Sequence, residues 1–365
     1  MRLSRGIGSA VLTMGFIAGC QDVSPAPSLD APTEDRFAWI SAGEITVRAG
    51  DRTVGPIVGG FQQAGNVFWT ASGTYAGAVS IDADGLGSVV AIDARSGDLR
   101  RIPCGCSRVE PIGDDRVAYV DGRNQGRTLD LAGAAEPVAF DLKLPADARA
   151  TQIMAAAGET VLVRTVLPSA DDGSGDDTIF LVGPDGPARE VHRHASIVGS
   201  RAVGGHDADG RPVFLISQPA DDGICPDEHA WILRTGHGLA RLDLTIGPGS
   251  TSMGDSWWDR EGRLNSILST VVCEGPDSAP PTWWRWADGN WTQVENRPVT
   301  AVRLLTSGDR AEIAPEDDIP VLFRRHGDAR SQIATEVLAV AAPPAQPRSL
   351  VRATGQPLSE IPSGR

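Results

Sequence analysis

Arg211-Pro-Val-Phe-Leu-Ile-Ser217 and Arg263-Leu-Asn-Ser-Ile-Leu-Ser269 are the two segments on which the fold is read. They stand 52 residues apart, and the same offset sets Trp231 on Trp283, Leu239 on Trp291 and Leu242 on Val294. The preceding turns also correspond, His206-Asp-Ala-Asp-Gly over Trp258-Asp-Arg-Glu-Gly. Within each copy, short apolar and β-branched runs are bounded by Gly and Asp, the pattern of strands joined by tight turns. A period of this size marks a supersecondary unit that buries its faces by stacking on its neighbours.

Each copy therefore reads as one four-stranded blade, and the chain as an all-β protein, a β-propeller. Seven segments match the second strand of the repeat: Phe37-Ala-Trp-Ile, Asn66-Val-Phe-Trp, Arg116-Val-Ala-Tyr-Val, Thr160-Val-Leu-Val, Pro212-Val-Phe-Leu-Ile, Leu264-Asn-Ser-Ile-Leu and Arg310-Ala-Glu-Ile. Third and fourth strands follow, as in Val89–Ile102 and Thr178–Val191. Seven second strands predict seven blades; six blades with a decorated edge, or a pair of β-sandwiches, are the alternatives. No inner strand precedes Phe37, and Glu336-Val-Leu-Ala-Val340 remains after the last blade to fill that place. The N- and C-terminal strands would then close the ring and leave no open sheet edge. The body resembles the broad class of secreted bacterial propeller repeats, and no blade signature narrows the family further.

Residues 1–19 read as a signal peptide, with Arg2 and Arg5 ahead of the apolar run Ile7–Ile17, too short to span a bilayer. Ile17-Ala-Gly-Cys20 resembles the lipobox of bacterial lipoproteins. That resemblance implies acylation of the Cys20 thiol with chains such as palmitate. Two or more chains hold a protein stably on a membrane without a spanning helix. The expected location is the extracytoplasmic side of a cell membrane, within the cell envelope. Residues 20–36, with Pro25, Pro27 and Pro32, read as anchor and flexible tether. Residues 37–342 form the propeller, and Pro-rich 343–365 reads as a disordered tail.

The net charge is −14 for the whole chain and becomes −16 once Arg2 and Arg5 leave with the signal. So acidic a body argues against nucleic acid as a partner. Besides Cys20 there are four cysteines, an even number that suits two disulfides in an oxidising compartment. Four allow three connectivities; Cys225 and Cys273 both follow second strands of neighbouring blades, which leaves Cys104 with Cys106 across one Gly.

His192 and His194 share one face of an expected strand and could hold a metal with a carboxylate, but Arg189, Glu190 and Arg193 around them describe a solvated outer strand. Asp82-Ala-Asp-Gly and Asp207-Ala-Asp-Gly start like calcium loops but lack the acidic residue at the twelfth position, so they read as turns. Trp283 and Trp291, at repeat positions, are expected in the core. No nucleophile motif or phosphate loop is present in the sequence.

In a propeller the loop between second and third strands emerges on the same face as the blade-to-blade connection. The longest such loops are read as Ser72–Gly87, Pro168–Asp177, Gln218–His229 and Cys273–Pro281. They carry twelve carboxylates and no Lys or Arg. Among these, Asp171, Asp172, Asp176, Asp177, Asp221, Asp222, Asp227 and Glu228 are the candidate binding residues. An acidic face would attract a basic partner or concentrate cations, with Ca2+ as the candidate ion, or it serves only solubility. No other cofactor is expected. The function expected is that of a non-catalytic binding or scaffold protein, with an envelope protein or glycan as partner. The alternative is an enzyme acting on an envelope glycan or small ligand at the funnel.

Overall fold

The computed structural model describes residues 34–61, 67–133, 136–168, 175–194, 200–219, 228–272 and 278–344. These form seven four-stranded antiparallel sheets arranged as the blades of a propeller. Blade one contains β1 (Arg36–Ser41), β2 (Glu44–Ala49) and β3 (Arg52–Val58). Blade two is β4 (Phe68–Trp69), β5 (Tyr75–Ile81), β6 (Gly87–Asp93) and β7 (Leu99–Pro103). Blade three is β8 (Glu110–Ile112), β9 (Arg116–Val120), β10 (Gly126–Asp130) and β11 (Val138–Ala139). Blade four is β12 (Arg149–Ala157), β13 (Thr160–Pro168), β14 (Gly175–Val182) and β15 (Arg189–His194). Blade five is β16 (Arg201–His206), β17 (Pro212–Pro219), β18 (Glu228–Arg234) and β19 (Gly238–Leu242). Blade six is β20 (Ser250–Trp258), β21 (Leu264–Val271), β22 (Ala279–Ala287) and β23 (Asn290–Glu295). Blade seven is β24 (Ala301–Leu304), β25 (Arg310–Glu316), β26 (Ile319–His326) and β27 (Ala329–Thr335). The last strand, β28 (Val337–Ala341), pairs antiparallel with β1 and completes blade one, so the ring closes as expected.

Every blade is covered on both sides by its neighbours, and this explains the strand sequences. Second strands such as Pro212–Pro219 read as nearly continuous apolar runs because both faces are buried. Fourth strands such as Ala329–Thr335 face solvent and are mostly exposed. The core is accordingly divided into seven apolar clusters, one for each gap between successive blades. Blades one and two meet through Ile40, Ile45, Ala76 and Val90, and blades seven and one through Leu322, Ala311, Phe37 and Val340.

Two expectations need correction. Phe68–Trp69 is the inner strand of blade two, not its second, and Tyr75–Ile81 is the second strand. Its small residues disguise it as a loop, so the stretch read as Ser72–Gly87 shrinks to a hairpin over 82–86. Gly77 is needed there because a Cβ would stand 2.3 Å from the Val90 carbonyl oxygen and 2.7 Å from the Phe68 ring.

The second correction concerns the repeat. Trp231 pairs with Ile216 and faces blade four, whereas Trp283 pairs with Ile267 and faces blade seven. Ile216 pairs with Trp231, 15 residues on, whereas the equivalent Leu268 pairs with Thr282, 14 residues on, and a one-residue slip turns a side chain to the opposite face. Trp283 is buried and Trp291 packs half-buried on the core between blades five and six, as expected of core residues.

Adjacent first-to-second turns are stitched together around the lower rim. Ser72 donates its N–H to the Asp114 carbonyl, Arg116 pairs with Glu159, and Arg36 donates to the Gly73 carbonyl. Asp35 joins Ser307 and Arg324, which ties the start of blade one to blade seven.

Candidate functional site

The upper face carries the second-to-third hairpins and the blade-to-blade connections. On it, a cavity of about 480 Å³ opens at the junction of blades five and six. β18 begins there at Glu228, β19 ends there at Leu242, and β20 begins there at Ser250. The connection over 243–249 bridges the gap, pinned where Trp291 Nε1 donates to the Asp243 carbonyl at 2.8 Å. Strand direction alone therefore brings Glu228, His229, Arg241, Asp243, Thr245 and Ser250 around one opening.

Their local bonds give the site both signs of charge. Asp243 Oδ1 accepts the Thr245 N–H at 2.9 Å, and these bonds hold its carboxyl below the usual range, so it is ionised at neutral pH. The Arg241 guanidinium meets His229 Nδ1 at 3.4 Å. Glu228 Oε1 accepts the Ser252 hydroxyl at 3.4 Å from the neighbouring blade. Leu242 and Leu244 are buried and contribute the apolar part of the lining.

The candidate residues of the acidic face are only partly in view. Asp171, Asp172, Asp221, Asp222 and Asp227 lie outside the described residues, as do Cys20, Cys225 and Cys273. Asp176 and Asp177 are on β14 rather than in a loop. Arg164 reaches Asp177 through two bonds, of 3.0 and 2.7 Å, and Arg193 lies 3.9 Å from Asp176. Strand arginines thus meet carboxylates that the loop sequences alone leave uncompensated.

Cys104 and Cys106 are joined by a disulfide and buried at the upper end of blade two, where the N–H groups of Cys104 and Gly105 both donate to the Gly87 carbonyl. Asp82 Oδ1 accepts the N–H groups of Asp84 and Leu86, and Asp207 Oδ1 those of Asp209 and Arg211, so both motifs close their own turns. His192 lies against Trp231 with ring centroids 4.9 Å apart, while the His194 side chain is outside the described residues. Among the described residues, no cluster of three or more His, Cys, Asp or Glu is placed to hold a metal ion. No helix among them is long and apolar enough to cross a membrane.

Sequence reasoning singled out Glu228 but not its companions. Arg241, Asp243, Thr245 and Ser250 belong to no motif, and their one signal was position, at the ends of strands flanking a blade connection.

No protein-family profile and no curated protein matches the sequence. Solved structures do resemble the fold. The β-propeller domain of the Trilobed protease from Pyrococcus furiosus superposes with a TM-score of 0.54 at 11% identity, over 80% of this chain and 89% of that one. A candidate 6-phosphogluconolactonase from Bacteroides uniformis gives 0.50 at 12% identity, over 85% of this chain and 99% of that one. At such identities the likeness is one of fold, and it defines the class of this protein: a seven-bladed β-propeller. The Pyrococcus domain is described as having an open velcro topology, whereas here β28 and β1 close the first blade.

Proposed function

We propose that this chain is a lipid-anchored binding protein of the cell envelope that works from its upper face. One observation carries the reading: the chain enters the ring at Asp35 and leaves it after Ala341 on the lower face, opposite the cavity. Asp35 is bonded to the lower turn at Ser307, and the Ala341 carbonyl accepts Trp69 Nε1 beside the lower turn of blade two. With Cys20 acylated, residues 20–34 reach at most about 50 Å when fully extended. Such a tether draws the lower face toward the bilayer and leaves the upper face to a partner, an envelope protein or glycan.

The test has two arms. Cys20→Ser should release the protein from the membrane fraction or leave it as the uncleaved precursor; full membrane retention of a normally cleaved Cys20→Ser protein would remove the anchor from the reading. The mature protein should then capture a partner from detergent-solubilised membranes, and substitutions at Glu228 and Arg241 should weaken that capture while Asp51→Asn on the lower face does not. Equal capture by all three variants would move the working surface elsewhere.

An enzyme at the same place has in its favour the carboxylates and the imidazole around the cavity. Against it, the cavity lies between two blades and off the ring axis, and among the described residues no hydroxyl bonds to His229.

A further inference from the structure

We infer that the cavity between blades five and six binds a small zwitterion, a free amino acid or short peptide that carries both an ammonium and a carboxylate group. The inference rests on the upper face being the working face and adds the class of ligand.

Its ground is the charge arrangement. Two carboxylates, Glu228 and Asp243, and two nitrogenous bases, Arg241 and His229, line one opening of about 480 Å³. That volume falls in the range of sites for small organic molecules. Among the described residues no carboxylate lies within ion-pair distance of Arg241; its guanidinium meets the imidazole of His229 and acts on Asp243 only through space. Its fork of donors is therefore available to a ligand carboxylate, the partner it matches with two parallel bonds. Asp243 is held ionised by Thr245, and Glu228 adds a second acceptor across the gap. A simple anion would meet repulsion from both carboxylates, and a simple cation would meet it from Arg241. A neutral polyol can hydrogen-bond to these groups but brings no charge of its own to complement either sign. A molecule with one charge of each sign satisfies both sides, and Ser250 supplies a hydroxyl for a peptide group between them.

The experiment is calorimetric titration of the intact mature protein with alanine, alanylalanine and triglycine. In parallel, triglycine is blocked at its N-terminus by acetylation or at its C-terminus as the amide. At least one free zwitterion should bind, and either block should weaken binding tenfold or more. Arg241→Gln should make triglycine and its amide bind alike, and Glu228→Gln should do the same for triglycine and its acetylated form. Arg241 is exposed and Glu228 half-buried, and unchanged melting temperatures would exclude a folding defect; if Arg241→Gln fails to fold, Arg241→Lys replaces it. No binding by any free zwitterion, or equal binding of blocked and free forms, overturns the inference. Capture of a membrane partner in that case would leave the upper-face reading standing, so the two failures are distinguishable.

Discussion

Asp35 and Ser307 are 272 residues apart in sequence and share two hydrogen bonds, from the Ser307 N–H to Oδ1 at 2.8 Å and from its hydroxyl to Oδ2 at 2.9 Å. Arg324 adds a third at 2.6 Å, and Asp309 then joins Arg324 to His326. This cluster is the polar counterpart of the β28–β1 pairing, since both fasten the N-terminal blade to the end of the chain. Asp35 is buried but its donors are not, since Ser307 is exposed and Arg324 partly so; Asp35→Ala therefore loses the bonds without stranding buried donors and should cost about 1 kcal/mol. Arg324 is partly exposed, so its ion pair with Asp35 contributes the smaller share. Asp35→Asn, which retains an acceptor for Ser307, should fall between. Urea denaturation checks this, with a lower midpoint at unchanged slope expected for Asp35→Ala.

Asn265 is fully buried and organises the lower part of blade six. Its Oδ1 accepts from Trp283 Nε1 at 3.0 Å and from Arg285 Nε at 3.1 Å, while its Nδ2 donates to the Arg263 carbonyl. In the first copy of the repeat the same position is Val213, which needs no such partners. Asn265→Ala should cost about 2–3 kcal/mol, the penalty for leaving buried donors unsatisfied. A shift in tryptophan emission should accompany it, because the Trp283 indole loses its acceptor. Stability within about 0.5 kcal/mol of the parent would contradict this account.

Glu312 and Arg325 form an ion pair between side chains that are each only 3% exposed. Burial pushes the Glu312 carboxyl up from its ordinary 4.5, against the pull of Arg310. A carboxyl that binds its proton more tightly when folded favours the folded state at low pH. That contribution fades as pH rises through the ordinary value and beyond the raised one. Glutamine cannot ionise, so Glu312→Gln should gain on the parent protein as pH rises from about 4 to about 8. The sign lies in the trend of the difference, since the variant also loses its contacts to arginine. Denaturation curves at several pH values would show it, and a difference that is flat or falls with pH would refute it.

Gly204 lies at a close approach of two inner strands, β12 and β16. A Cβ there would lie 2.0 Å from the Ala156 carbonyl oxygen and 2.5 Å from its carbon, both backbone atoms of the neighbouring blade. Gly204→Ala should therefore cost at least about 2 kcal/mol, as overpacking of a closed interior does. Gly183 is the control, because its nearest neighbour to an added Cβ is at 3.8 Å. Gly183→Ala should change stability by less than about 0.5 kcal/mol. Thermal melts of the two variants together separate a steric effect from a general intolerance of substitution.

Periodicity made the architecture legible. The apolar second strands of six of the seven blades, the leftover strand after Glu336 and the ring closure follow from burial on both faces of each blade, which leaves a local signature. Blade two escaped because Tyr75–Ile81 packs through Ala and Gly, where backbone approaches backbone and there is little side chain to read. The face of Trp283 escaped because one residue fewer in a hairpin reverses the facing of a strand, and an offset between similar segments does not count that residue. The cavity was out of reach for a different reason. Glu228, Arg241, Asp243 and Ser250 are set by the ends of three strands and one connection, and their proximity depends on how two blades pack. Composition and pattern determined an acidic all-β ring; only the packing of blade five on blade six decided which charges face one another.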